Sequence, residues 1–340
     1  MTHDQVNHII DNKAFPYPTD GIKLIVTHIS WVILTDRYVY KIKKPIRFSF
    51  LDFSTLEKRK VYCEKEVQLN KRLAPEMYLK VIPITENNGN YRILGSEGTI
   101  IDYAVLMKRM DETKQMDMLL EQGAVKSGSI VKLAEVLARF HQEATIVPEG
   151  EDWKELYGEF EDISSIKDFL ERNFGKETGQ FLEEVNRWAY RFLNQTKERI
   201  QERNEQGFVI EGHGDLHTRN IFLLEDPVIF DCIEFNDDFR KLDLLNEIAF
   251  LCMDLERFDR FDLSKLFLDH YLSKIHCIAN KTDERLFAFY KLYRANVRLK
   301  IHAINAMATN TDKDKWQNEL ALVRQYLALY QLYYSALKRK

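Results

Sequence analysis

Between Lys23 and Ile42 the chain alternates apolar and polar positions in runs rich in β-branched residues, KLIVTHISWVILTDRYVYKI, broken once by Thr35-Asp36. A period of two sends successive side chains to opposite faces, so the segment predicts adjacent antiparallel strands. The pattern then lengthens in STLEKRKVYCEKEVQLNKRLAP, where Ser54 and Glu57 read as a capping box and Pro75 ends the run. It predicts a helix of about five turns. Strand patterns return at Tyr78 to Thr85, Tyr91 to Leu94 and Thr99 to Met107, with an NNGN turn from Asn87 to Asn90. Beyond Met110 the helical period dominates, at Gly128 to Ala144, Asp152 to Asn204 and Leu242 to the C-terminus. Strand signals there are confined to FVIEGH, NIFLL and PVIF, around residues 208 to 230. The expected class is α+β: an antiparallel sheet with one long helix over 1–107, then a mainly helical part over 108–340.

Composition adds bounds. With 340 residues, 45% hydrophobic and 30% charged, the chain is long enough for two packed lobes and needs no disulfide scaffold. Cys63, Cys232, Cys252 and Cys277 are scattered with no C-x-x-C pair, which argues for reduced thiols, against structural zinc, and for a cytoplasmic protein. No stretch approaches the roughly 18 consecutive apolar residues of a membrane span, and the N-terminus lacks the pattern of a signal peptide. A net charge of -4 gives no reason to expect nucleic acid, and neither nucleic acid nor membrane is expected as a partner. Charge is uneven: Arg37 to Lys80 holds twelve Lys/Arg against five Asp/Glu, and Glu151 to Glu171 holds eight acidic residues against two lysines. Solvated helix faces account for both runs; phosphate attraction and a cationic substrate are the functional alternatives.

The chemistry-bearing stretch is HGDLHTRN, His213 to Asn220, followed by a tight hairpin that delivers Asp231. Phosphoryl transfer needs one carboxylate to orient and deprotonate the attacking hydroxyl and oxygen ligands for metal ions on the phosphates. Asp215 suits the first task, Asn220 and Asp231 the second. Read another way, His213, Asp215 and His217 form an alternate-residue metal cluster, although no further ligands complete it. Singly, the two histidines are expected to shape the loop by hydrogen bonding.

These motifs resemble the catalytic segments of aminoglycoside phosphotransferases and their protein-kinase-like relatives, in which HGD stands for H-R-D and D-x-E for D-F-G; here the latter reads DCIE. The resemblance implies a two-lobe kinase-like fold with a nucleotide in the cleft. YVYKIKKP resembles the V-A-I-K position, making Lys41 the residue for the α- and β-phosphates, with Lys43 and Lys44 as competitors. Glu66 interrupts the helical stripe Tyr62, Glu66, Leu69, Leu73, and a carboxylate in a buried stripe needs a cation, which Lys41 would supply. The glycine-rich loop of protein kinases is missing. THIS stands in its place, so Thr27 and Ser30 become phosphate contacts or local turn caps. In LMKRMD the resemblance puts Met107, Lys108 and Met110 beside the adenine, Met107 being equally a plain core residue.

LAEVLARFHQEA and FNDDFRKLDLLNEIAFLCMDLE add to the likeness, with Asp243 either supporting the catalytic loop or pairing with Arg240. The likeness covers Lys23 to Glu256 and is close to bacterial proteins carrying THIS, YKIKKP and FDCIEFN, some of them joined to a P-loop kinase domain; no G-x-x-x-x-G-K-[ST] occurs here. The implied function is ATP- and Mg²⁺-dependent transfer of phosphate to a hydroxyl of a small molecule, with GTP as the alternative donor. A protein hydroxyl as acceptor, or a nucleotide-binding pseudokinase, are the alternatives. Tyr290, Tyr293, Arg294 and Arg298 either line a pocket or pack in amphipathic helices.

Overall fold

A computed structural model of the chain describes residues 1–48, 51–309 and 311–339. It divides into two compact units. The first holds Met1–Met118, Asn220–Leu224 and Val228–Phe239; the second holds Leu119–Arg219, Glu225–Pro227 and Arg240–Lys340.

The first unit opens with helix α1 (His3–Asp11), which the strand-dominated sequence reading passed over. Its signal is a capping box of Thr2 and Gln5, followed by Val6 and Ile9 on one buried face. There follow β1 (Lys23–Val26), β2 (Ser30–Leu34), β3 (Tyr38–Lys43), the short β4 (Arg47–Phe48) and β5 (Leu51–Asp52), helix α2 (Leu56–Asn70), and β6 (Tyr78–Asn87), β7 (Asn90–Ile93) and β8 (Thr99–Lys108). Six of these strands form an antiparallel sheet in the order β1-β2-β3-β8-β6-β7. Helix α2 starts one residue later than expected: Thr55, not Ser54, accepts the Lys58 amide as N-cap, while Ser54 is bonded to Asp52.

Alternation along β3 sorts the two faces of this sheet. Tyr40 and Ile42 join a core with Trp31, Ile33, Ile84, Leu106 and the α1 residues Val6 and Ile9. Val39 faces the other way, into a core with Val105, Met107, the α2 residues Cys63 and Val67, and Phe222. Lys41 and Lys43 lie in phase with Val39, on the α2 face. Phe222 belongs to β10 (Ile221–Phe222), which pairs with β11 (Val228–Ile229) in a hairpin ending at Asp231.

The second unit is helical. It contains the second half of α3 (Met116–Glu121), then α4 (Ser127–Glu143), α5 (Trp153–Glu161), α6 (Lys167–Phe174), α7 (Lys176–Glu205), β9 (Val209–Glu211), β12 (Lys241–Asp243), α8 (Leu244–Arg257), α9 (Phe261–Leu272), α10 (Lys281–Ala308) and α11 (Lys313–Lys338). The run from Asp152 to Asn204 is thus three helices joined by a 3₁₀ turn and by Gly175. Every residue of α8 from Leu244 to Glu256 is buried, packed by α9, α10 and α11. β12 pairs with β9 and leads into α8, so the strand before the HGD segment and the start of α8 share one ladder. Among the described residues no helix is long and apolar enough to cross a membrane, and the four cysteines are buried free thiols.

Candidate active site

In the first unit a chain of charges runs through the α2 face of the sheet. Lys41 Nζ donates to Asp231 Oδ1 at 2.7 Å and lies 2.8 Å from Glu66 Oε1. Lys43 Nζ donates to Glu66 Oε2 at 2.6 Å and also to Glu234 Oε1. Glu66 and Lys43 are wholly buried, as the break in the α2 stripe predicts for Glu66. Glu64, on the other helix face, is exposed beside Lys60. Burial alone would lower both lysines, but Asp231 and Glu66 keep Lys41 charged well above its ordinary value, and Glu234 and Glu66 do the same for Lys43. Burial would likewise raise Glu66, yet two flanking ammonium groups hold it below the usual carboxylate range. Burial pushes Glu234 up, against the Lys43 ammonium that favours its charged form.

Asp231 has φ 63°, a left-handed backbone uncommon outside glycine. The surrounding elements over-determine it. Its amide donates to the Tyr78 hydroxyl at 3.3 Å, and the Cys232 amide donates to Asn70 Oδ1 at 2.9 Å. Arg72 reaches Cys232 Sγ, and Glu234 is anchored to Lys43. Asn220 is brought alongside by the hairpin, its carbonyl accepting the Phe230 amide at 2.9 Å.

The remaining first-unit candidates lie at the β1–β2 turn and around the end of β8. Thr27 donates to the Ser30 carbonyl and accepts its amide, closing the β1–β2 turn as the cap alternative required. The Ser30 hydroxyl is buried without a partner among the described residues. Lys44 reaches the Thr27 carbonyl. Met107 is in the core, Met110 is packed at that core's edge, and Lys108 is exposed at the end of β8 with its amide on the Met77 carbonyl.

In the second unit Asp215 sits half-buried on a loop braced by buried groups. His213 Nδ1 accepts the Asp215 amide at 3.3 Å, and His217 Nδ1 accepts the Arg219 amide at 3.2 Å. The His217 proton is thereby assigned to Nε2, which faces Asp215 Oδ2 at 3.3 Å. Burial pushes the Asp215 carboxyl up, but His217, Arg298 and His213 outweigh it and hold it well below the usual range. Both imidazoles therefore shape the loop; among the described residues no group of three or more potential ligands stands ready for a metal ion.

On the sequence, Asp243 either supports the catalytic loop or pairs with Arg240. The structure uses Asp243 otherwise: it caps α8 at the Leu245 amide and forks onto Arg203, at 2.6 and 2.7 Å. Glu247, one turn further, does the bracing. Its carboxylate accepts the His213 amide at 2.8 Å, the Gly214 amide at 2.7 Å and His141 Nε2 at 2.9 Å. Burial raises it, and His141, His213 and the Gly214 amide more than compensate, holding it at about 2. Asp254, two turns beyond, accepts the Thr218 amide and hydroxyl. Both carboxylates lie within an apolar run, where nothing but their burial marks them.

Arg294 donates to Asn246 Oδ1 at 2.7 Å and to the Gly214 carbonyl at 3.3 Å, tying α10 to the same loop. Tyr290 and Tyr293 donate to Glu151 and Glu159. Of the acidic run, Asp152 caps α5, Asp162 pairs with Lys300, and Glu159 holds Tyr293, so much of it is occupied within the unit.

A lysine–glutamate pair on a sheet and an aspartate on a braced loop are what the motifs' resemblance to kinase-like phosphotransferases implies. The match is explicit over residues 31–286, which fit the family described as phosphotransferase enzyme family, abbreviated APH, and the chain belongs to it. A protein of Mycobacterium bovis with no assigned function is 30% identical over 283 residues, 82% of this chain and 54% of that protein. The chain thus spans about half the length of the curated relatives it matches. Among solved structures, a choline kinase from Cryptosporidium parvum aligns with a TM-score of 0.57 at 12% identity, over 98% of this chain and 97% of that one. A putative aminoglycoside phosphotransferase from Ralstonia eutropha aligns with a TM-score of 0.51 at 10% identity, over 99% and 98%. At these identities the likeness concerns the fold, which is protein-kinase-like.

Proposed function

We propose that the chain transfers the γ-phosphoryl group of ATP to a hydroxyl of a small molecule. The observation that carries this reading is the buried Lys41–Glu66 pair with Asp231 on the same lysine, in a member of a phosphotransferase family. Lys41 supplies a fixed positive charge for the α- and β-phosphates, and Glu66 keeps that ammonium aimed. Asp215, ionised through its neighbours, orients the acceptor hydroxyl and takes its proton as the oxygen bonds to the γ-phosphorus and the bond to the β,γ-bridging oxygen breaks, releasing ADP.

The donor set fits Mg²⁺. A half-exposed carboxylate, Asp231, and an amide, Asn220, are hard oxygen ligands, and Mg²⁺ on nucleotide phosphates takes one or two protein ligands with the rest from phosphate and water. When bound, it neutralises charge on the phosphates. Asn220 and Asp231 are the residues that would hold it.

The test is ATP consumption with Mg²⁺ across a panel of small alcohols that includes amino alcohols, sugars and aminoglycosides. The wild-type protein is expected to turn over at least one acceptor, and Asp215→Asn to lose about 100-fold or more of that rate while still binding nucleotide. Thermal stabilisation by ATP and Mg²⁺ without turnover on any acceptor would instead make the chain a nucleotide-binding module.

A further inference from the structure

The two carboxylate oxygens of Glu66 are held unequally. Oε2 receives a directed hydrogen bond from Lys43 at 2.6 Å, whereas Oε1 is held by Lys41 at 2.8 Å in an ion pair of poorer angle. The directed bond of Lys41 goes to Asp231 instead. Glu66 is therefore fixed from the Lys43 side, and Lys41, aimed by Glu66 and 13% exposed, is the ammonium that borders on open space.

Lys43 has no such room. Its side chain is 0% exposed, two carboxylates share its protons, and the Phe53 ring lies 4.9 Å from Nζ. It joins three elements at one atom: the end of β3, the middle of α2 through Glu66, and the segment after the hairpin through Glu234. Glu234 follows Asp231 by three residues, and between them Cys232 is bonded to Asn70, which also donates to the Glu66 carbonyl at 2.9 Å. The conformation that presents the Asp231 carboxylate is thus closed at one end by Tyr78 and Asn70 and at the other by Lys43.

We infer that Lys43 is a positioning residue for the metal-bearing aspartate: by clamping Glu66 to Glu234 it fixes the 231–234 segment and leaves Lys41 free to exchange Asp231 for phosphate. This rests on reading the site as one for a Mg²⁺-nucleotide. It separates two lysines that share a face and a glutamate, giving phosphate to one and metal geometry to the other.

The experiment measures calorimetric affinity for a non-hydrolysable ATP analogue, with Mg²⁺ and with EDTA, in the wild type, Lys41→Met, Lys43→Met, Glu234→Gln and Lys43→Met/Glu234→Gln. The expected result for Lys43→Met is a loss of about 10- to 100-fold in the tightening that Mg²⁺ confers, the size seen when groups that orient metal ligands are removed. Its affinity in EDTA should stay within about threefold of wild type, by the same division of roles. Lys41→Met should show the reverse. The double variant removes the uncompensated buried carboxylate, so it should recover melting temperature without recovering the Mg²⁺ effect.

If Lys43→Met weakens binding in EDTA as much as Lys41→Met, Lys43 is a phosphate contact and the inference fails. It fails equally if the double variant regains the full Mg²⁺ effect, since charge balance alone would then be its role. Should Lys43→Met not fold, Glu234→Gln and the double variant give the same comparison. A wild type with no nucleotide affinity under either condition overturns the phosphotransferase reading itself, and the positioning role with it.

Discussion

Glu247 illustrates how one buried side chain can set the geometry of another. An ionised carboxylate at 1% exposure is tolerable only because two backbone amides and an imidazole converge on it. Replacing it with glutamine keeps the shape but removes the charge that all three donors address. We expect Glu247→Gln to lower unfolding free energy by about 1.5–3 kcal/mol in urea titrations, the range for hydrogen bonds to charged groups. Gly212 is the matching requirement in the backbone, because a Cβ there would lie 2.2 Å from Glu247 Oε2. Gly212→Ala should therefore shift the carboxylate and reduce turnover by 10-fold or more, roughly the penalty for a misplaced catalytic group. Wild-type turnover in that variant would show the brace to be dispensable. Sequence pattern singled out Asp215 because HGD, Asn220 and Asp231 have a distinctive order. Glu247 has no such context: LLNEIAF reads as a buried helix with one polar interruption, and only the fold shows that the interruption points at the loop.

At the scale of elements, periodicity was informative wherever one face of a segment is buried and the other is not. The β3 alternation and the α2 stripe placed Lys41 and Glu66 on facing surfaces, and the structure brings them to 2.8 Å. Lys43 was legible as sharing that face, but its separate partner was not, because Glu234 is 191 residues away along the chain. Long helical runs were less readable. Residues 152 to 204 keep a helical period throughout, yet Gly175, at φ 100° and ψ 154°, ends α6 and caps α7. That backbone region is essentially glycine-only, and a Cβ would lie 2.3 Å from Glu177 Oε1. Gly175→Ala should destabilise by about 1–3 kcal/mol. Gly128→Ala, in the first turn of α4 with nothing within 4 Å of the added Cβ, should instead stabilise by about 0.4–1 kcal/mol. Chemical denaturation of the pair tests whether the break belongs to the glycine or to its surroundings; equal effects would favour the surroundings.

For the molecule as a whole, the acidic run 151 to 171 has its main consequence in stability rather than surface charge. Burial and the nearby Asp243 carboxylate push Glu151 up to about 7, against the Tyr290 hydrogen bond that favours its charged form. An acid raised in the folded state holds its proton longer there than in the unfolded chain. Stability is therefore lost as pH climbs from about 4.5 to 7, and the penalty persists above that. The unfolding free energy of Glu151→Gln should gain on that of wild type across this window, reaching an advantage of up to about 3 kcal/mol at pH 8. A pH-independent difference would place the titration elsewhere. The run is visible in composition, and the Asp152 cap is local to α5, but the ion pair of Asp162 and the burial of Glu151 depend on contacts with α10 that no local pattern encodes. The left-handed backbone at Asp231 has a consequence on a longer timescale still. Asparagine and glycine enter that conformation most readily, whereas most other replacements would add backbone strain. Under the metal-holding role proposed for Asp231, a descendant gene released from selection for phosphoryl transfer would drift first to Gly or Asn at this position, the replacements its backbone admits.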